Sequence, residues 1–143
     1  MSTEARKQRI LDYYAATIDG DLDGMARLFT EDVHIWMPPS AAKRGLPVPL
    51  VGRELFLALS RQLLDDTSEF WRTTSWTPHT FLFEGDKVAV YVTLDGVMPN
   101  GALYKNDYMF LYTFAEDEIS EIREFVDTAW INDFLASNSA ATV

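Results

Sequence analysis

Two neighbouring runs decide the fold: Tyr104-Lys-Asn-Asp-Tyr-Met-Phe-Leu-Tyr-Thr-Phe114 and Glu118-Ile-Ser-Glu-Ile-Arg-Glu-Phe-Val-Asp127. Both are rich in aromatic and β-branched residues, and Glu116-Asp117 between them is a tight-turn pair, so they read as long antiparallel strands. Upstream, the same alternation predicts strands near 73–84 and 86–97 joined at Glu84-Gly85-Asp86. The C-terminal half is therefore an antiparallel meander over 73–84, 86–97, 103–115 and 118–127. In the second strand Val88, Val90, Val92 and Leu94 share one face, and Ala89, Tyr91, Thr93 and Asp95 the other. The third strand is largely apolar on both faces, which in an antiparallel sheet requires that both be covered.

The N-terminal half has the helical period instead. Ile10, Tyr13, Tyr14, Thr17 and Ile18 predict a helix from about Thr3 to Ile18, closed by Gly20. Asp21 can cap a second helix through Phe29, with Leu22, Met25, Leu28 and Phe29 buried. Val33–Met37 reads as a short strand stopped by Pro38-Pro39, since proline cannot donate to a ladder. A loop rich in Pro, Ala and Gly runs to Leu50. Gly52 then opens a third, amphipathic helix with Leu55, Phe56, Leu59, Leu63 and Leu64 inward, ending in Asp65-Asp-Thr-Ser-Glu69. Three helices cover only the concave side of a curved sheet, so the convex side predicts a homodimer through the sheet.

The 143 residues fit one domain over 1–143 with a frayed tail from about 137. A formal net charge of -10, from 22 acidic and 12 basic residues, argues against nucleic acid as a partner. It favours a neutral or weakly charged small molecule, or another copy of the chain. The absence of cysteine excludes disulfides, thiolate nucleophiles and zinc-thiolate sites, and His34 and His79 are too few for a histidine-rich metal cluster. No Gly-rich phosphate loop, Ser-His-Asp arrangement or metal-ligand spacing occurs, so no metal or cofactor is expected. The charged N-terminus carries no signal-like apolar stretch and no apolar run reaches spanning length, so the expectation is a cytoplasmic protein without membrane contact.

Glu124 is the leading candidate for chemistry. Ile122 and Val126 share its strand face, so its carboxylate points where apolar groups point, and desolvation would raise its pKa toward that of an acid/base near neutrality. The alternative is a glutamate paired with an arginine or turned to solvent at a bulge. Asp127 either joins the chemistry or caps the helix that begins at Thr128-Ala-Trp-Ile-Asn-Asp-Phe-Leu. Tyr13 can donate its hydroxyl to a ligand oxygen or sit in the core, and Tyr14 takes its place if the register is off by one. His34 and Trp36 alternate with Val33, Ile35 and Met37, so one set faces the pocket. Phe56, Trp71, Trp76, Tyr91, Tyr108, Phe110 and Trp130 supply aromatic walls, with Trp36 among them, for a flat, small apolar or aromatic molecule. Asn106 shares a face with Tyr108 and could position the ligand or Glu124. Asp107 points the other way.

The segment Gly20-Asp-Leu-Asp-Gly-Met-Ala-Arg-Leu-Phe-Thr-Glu-Asp-Val33, after a helix with paired tyrosines, resembles the opening of the nuclear-transport-factor-2-like superfamily. Within it the chain looks like the SnoaL-like and ketosteroid-isomerase-like branch. That resemblance implies an α+β fold: a cone-shaped curved antiparallel sheet wrapped around a long helix, a cystatin-like α+β barrel with three N-terminal helices and a short C-terminal one. The oxyanion-stabilising tyrosine of ketosteroid isomerases falls on Tyr13, but their general base falls on Met37 and their second oxyanion acid near Met109 or Phe110. The aspartate of SnoaL-type cyclases matches Asp127, while their histidine position holds Phe110. Of the Asp-Arg-Asp set of limonene epoxide hydrolases, Thr93 and Tyr91 occupy the first two places and Glu124 the third. Asn106, Tyr108 and Arg123-Glu-Phe125 resemble the phenazine-biosynthesis A/B proteins, whose acid/base glutamate matches Glu124 and whose accompanying histidine and serine match Leu59 and Leu63. Leu59 and Leu63 thus enter as pocket-lining positions. The resemblance implies an acid/base isomerase, cyclase or dehydratase, or alternatively a non-catalytic ligand-binding or dimerisation module.

Overall fold

The helical hairpin forms where the apolar period places it. In the computed structural model, which describes residues 1–65 and 68–138, α1 spans Thr3–Asp19. The Ser2 hydroxyl accepts from the Ala5 amide at its start, and Gly20 ends it at φ 69° with its amide bonded to the Ala16 carbonyl. Asp21 then caps α2 (Leu22–Ala26), accepting from the Gly24 amide at 2.8 Å.

The second helix is shorter than expected, because Phe29 opens strand β1 (Phe29–Trp36) instead of closing a helical turn. The Leu28 carbonyl accepts from the Ile119 amide at 2.8 Å, and Phe29 pairs with Ile119. These backbone groups are satisfied by the sheet, which a local helical pattern cannot foresee. Leu28 and Phe29 are buried as expected.

The loop after β1 is more ordered than its composition suggests. It holds a 3-10 turn over Pro39–Arg44 and a two-residue strand, β2 (Leu50–Val51), antiparallel to β1. Then follow α3 (Arg53–Leu63), β3 (Arg72–Glu84), β4 (Lys87–Val97), β5 (Leu103–Ala115), β6 (Glu118–Phe125) and α4 (Thr128–Asn138). Ser137 and Asn138, expected in the frayed tail, belong to α4, where the Asn138 side-chain Nδ2 donates to the Phe134 carbonyl at 2.9 Å. The rest of that tail lies outside the described residues.

The six strands form one curved sheet in the order β2-β1-β6-β5-β4-β3. The β3–β6 meander stands as predicted, but β1 lies parallel to β6, so the sheet is mixed. Most of the chain runs between those two strands, which frees them from the antiparallel geometry a hairpin imposes. Pro78 sits in edge strand β3 at a register shift, where a missing amide leaves no inner ladder unpaired.

One face of the sheet carries the core. Val88, Val90, Val92 and Leu94 of β4 and Tyr108, Phe110, Tyr112 and Phe114 of β5 are buried in one cluster with Ile10 and Tyr14 of α1. Tyr14 stacks on Trp76 with ring centres 4.5 Å apart, and its hydroxyl is 2.8 Å from that of Tyr112. The start of α1 is fastened to the strand turns: Arg6 donates to the Gly85 carbonyl, and Lys7 lies 5.0 Å over the Phe81 ring. Helix α3 behaves differently. None of its residues is fully buried, and Leu55, expected inward, is 43% exposed. Phe56, Ser60 and Leu63 form its inward stripe at helical spacing, and what they cover is a cavity.

Candidate functional site

The cavity under α3 measures about 240 Å³. Tyr13 and Thr17 enter from α1, Met25 from α2, and Met37 from the end of β1. Arg44 and Leu46 come from the 3-10 turn and its exit, and Phe56, Ser60 and Leu63 from α3. Phe70, Trp71, Arg72, Thr73 and Trp76 line it around the start of β3, Leu94 from β4, Tyr108 from β5, Glu124 from β6 and Ile131 from α4. The wall is mostly apolar, with a few polar groups converging on it, as ligand sites are built.

The aromatic wall is held by packing behind it. Trp71 stacks on Tyr104 at 3.8 Å with a 5° interplanar angle, and the Tyr104 and Tyr108 hydroxyls bond each other. Trp71 can lie there because Gly96 has no side chain; a Cβ at that position would meet Trp71 Cδ1 at 2.6 Å. The indole N–H of Trp76 donates to the Thr17 hydroxyl at 2.8 Å, which fixes a second wall against α1. Burial raises the Tyr104 phenol to about 12 and holds Tyr108 well above its ordinary value, so both are neutral donors or acceptors.

Glu124 stands in this apolar setting. Its strand places it opposite Phe110, with Ile122 buried on the same strand and Val126 packed against the core. Burial lifts the carboxyl to about 7, and the Arg44 guanidinium opposes the rise. No described side chain hydrogen-bonds it. Although protein encloses Glu124, the cavity reaches its side chain, so the residue is only half-buried by surface area. An acid titrating near neutrality and facing open volume can take or give a proton.

Tyr13 lies on the wall between Phe29, at 5.3 Å, and Phe56, at 6.4 Å. Burial first, then neighbouring Tyr14 and Glu124, raises its phenol, so it stays protonated. Its hydroxyl has no partner among the described residues, which leaves the proton for a ligand oxygen. Tyr14 does not share that role: its hydroxyl is taken by Tyr112 and its ring by Trp76.

Phe56, Leu63, Trp71, Trp76 and Tyr108 line the cavity with Glu124 and Tyr13; other sequence candidates lie elsewhere. Leu59 borders a second hollow beside it, which shares Arg44, Leu46, Leu63 and Phe70 with the cavity. Phe110 is buried behind the wall, stacked on Tyr108 at 5.4 Å. Asn106 is half-buried off the lining, its side-chain oxygen accepting from the Asp107 amide at 2.9 Å. His34 is exposed, and Trp36 packs against Phe125 at 5.3 Å and beneath the Arg123 guanidinium. In β1 it is Val33 and Ile35 that turn inward, because the core claims the apolar members of the alternation. Tyr91 is on the outer face, where its hydroxyl donates to Asp107 at 3.1 Å beside the Thr93–Asp107 bond of 2.6 Å. Asp127 caps α4, accepting from the Trp130 amide at 3.1 Å.

Arg44 is the residue that sequence reading missed. It stands in a loop read as Pro, Ala and Gly, and a cation beside Gly45 gives no local sign of pointing inward. Among the described residues no group of His, Cys, Asp or Glu is placed to hold a metal ion, and no helix is long and apolar enough to cross a membrane.

The chain belongs to the SnoaL-like domain family, whose model matches residues 10–122. Its structure is similar to an NTF2-like protein of unknown function from Burkholderia pseudomallei K96243, at TM-score 0.79 and 21% identity over 94% of this chain and 98% of that one. It is similar to TerC co-crystallised with polyporic acid, at TM-score 0.75 and 23% identity over 92% and 98%. A proposed SnoaL-like polyketide cyclase from Jannaschia sp. CCS1 gives TM-score 0.74 and 20% identity over 98% and 96%. No curated protein matches the chain in sequence. At these identities the likenesses establish the shared NTF2-like fold.

Proposed function

We propose that this protein is a cofactor-independent enzyme that moves a proton on a flat, apolar or aromatic ring compound, in an isomerase-, cyclase- or dehydratase-type step. The observation that carries this reading is Glu124, enclosed in an aromatic cavity with its carboxyl lifted to about 7. In its simplest form, ionised Glu124 removes a proton from carbon beside a ligand carbonyl. The C–H electron pair becomes a C=C bond and the carbonyl pair moves to oxygen as an enolate. The Tyr13 hydroxyl hydrogen-bonds that oxygen, and Glu124 returns the proton to another carbon of the conjugated system. Atoms and charge balance without a cofactor. Trp71 and Trp76 hold the ring flat, and Tyr108 limits its depth.

A thermal-shift screen of hydroxylated polycyclic ketones, terpenoids, steroids and aromatic acids tests this first. Polyporic acid belongs in the panel because TerC was crystallised with it. On a compound that binds and turns over, Glu124→Gln lowers kcat by about 10²–10⁴-fold, the range for removing a general acid/base. Full turnover by that variant would sink the assignment.

Met37 favours a second reading: it lines the cavity at the position where the ketosteroid-isomerase resemblance puts a base. A chain that binds ring compounds without changing any of them would be a ligand-binding module of the same fold. Homodimerisation through the outer face belongs to either reading. Tyr91, Met109 and Phe125 lie in register across β4, β5 and β6 and are 38%, 42% and 46% exposed. A monomer by light scattering at high concentration would overturn it.

A further inference from the structure

Charge in the cavity runs against charge in the chain. The protein carries a formal charge of -10, yet among the described residues the charged side chains lining the cavity are Arg44, Arg72 and Glu124. Two are cations, and the third is a carboxyl that burial keeps largely protonated up to neutral pH. Arg72 is exposed at the mouth, and Glu69 sits on the rim of the adjoining hollow. Arg44 is the inner cation.

Arg44 is also unfinished. Its Nε and Nη1 atoms are fully buried and have no hydrogen-bond partner among the described residues. It forms no salt bridge with Glu124, although its charge is felt there. A buried guanidinium whose N–H groups are unused is costly, and an anionic oxygen, as of a carboxylate or a delocalised enolate, is the acceptor that offsets that cost best. A neutral hydrocarbon ring would leave that cost in place.

The geometry points to Arg44 as an oxyanion-recognition residue of the Glu124 cavity, so that the ligand is a ring compound bearing a carboxylate or similarly acidic oxygen at one end. This rests on the Glu124 cavity being the ligand site, and it does not rest on turnover. The anion lies against Arg44 while the ring lies between Trp71 and Trp76. The anion binds more tightly when Glu124 is protonated, because an ionised Glu124 puts two negative charges in one enclosure, so binding and the base step of the proposed reaction draw on opposite protonation states. Arg72 at the mouth favours the anion on entry, and Tyr13 and Tyr108 stay neutral throughout.

The test is equilibrium binding, read by tryptophan fluorescence, of naphthoate and anthraquinone carboxylate against their methyl esters. At pH 6 the wild-type protein binds each acid at least tenfold more tightly than its ester. Arg44→Met brings the ratio to about one, and Arg44→Lys keeps part of it because an ammonium supplies charge without the planar donor fork of a guanidinium. Arg44→Met melts no lower than the wild type, since it removes unpaired buried donors. Acid affinity in the wild type falls as pH rises through 7; Glu124→Gln abolishes that fall and keeps the preference for acid over ester. An ester that binds as well as its acid, a preference that survives Arg44→Met, or no binding by either acid would overturn the inference. If acid preference fails while Glu124→Gln still stops turnover of an identified substrate, the proton-transfer reading stands alone. If acid preference holds with turnover intact in Glu124→Gln, the anion site stands without it.

Discussion

Replacing Glu124 by glutamine should stabilise the protein at alkaline pH and leave it nearly unchanged in acid. The carboxyl moves from its ordinary value of 4.5 to about 7 in the fold, with burial as the main cause and Arg44 opposing. An acid whose folded pKa is raised binds more protons folded than unfolded between those two values. Its contribution is therefore fully present below 4.5 and is lost as pH rises through 7. At about 1.4 kcal/mol per pKa unit the full loss from 4.5 to about 7 is about 3.5 kcal/mol, and solvation of the carboxylate by cavity water reduces it toward about 2 kcal/mol. The assay is urea unfolding of both proteins at pH 4.5 and pH 8.5, about the limits of the window, with m-values compared so that the denatured states are known to match. Other titrating groups are common to both and cancel in the difference. Going from acid to alkaline, the wild type should lose about 2–3 kcal/mol more than the glutamine variant, on the order of 10 °C in Tm for a chain of this size. Parallel pH profiles, within about 0.5 kcal/mol, would show that Glu124 is solvated in the folded state. The acid/base reading would then lose its physical basis.

Asp127→Ala removes the cap on α4 and should cost about 1 kcal/mol by thermal unfolding while leaving turnover on any substrate found unchanged; a large kcat loss without a Tm change would instead place Asp127 in the chemistry. Glu116 holds φ 57° in the β5–β6 turn, so Glu116→Gly should gain roughly 0.5–1 kcal/mol in urea, and a loss would mean that the turn relaxes at no cost. Gly96→Ala drives a methyl to 2.6 Å from Trp71 Cδ1 and 2.9 Å from the Arg72 carbonyl. That change should destabilise by about 1–3 kcal/mol and shift the tryptophan emission, and unchanged stability and emission would show the wall to be loose.

Local pattern determined a good deal of this protein. The order of helices and strands, the turns at Gly85 and Glu116, and the inner faces of β4 and β5 follow from hydrophobic period and turn chemistry, which nearby residues set among themselves. Glu124 could be singled out for the same reason, because a carboxylate with Ile122 and Val126 on its strand face is visible in the sequence. Meetings between distant segments are not written that way. Phe29 became sheet because Ile119 was there to bond Leu28, and β1 lies parallel to β6 because no hairpin joins them. Which of two adjacent tyrosines faces the cavity was decided by Tyr112 and Trp76 claiming Tyr14. Trp36 and Tyr91, aromatic and in strands, went to the outer face because side-chain alternation fixes two faces and packing alone chooses between them. Arg44 reaches the cavity of Glu124 from a loop whose own sequence has no period to read. Its position is set by where the 3-10 turn closes over the sheet, and so the charge that defines the cavity belongs to the tertiary structure alone.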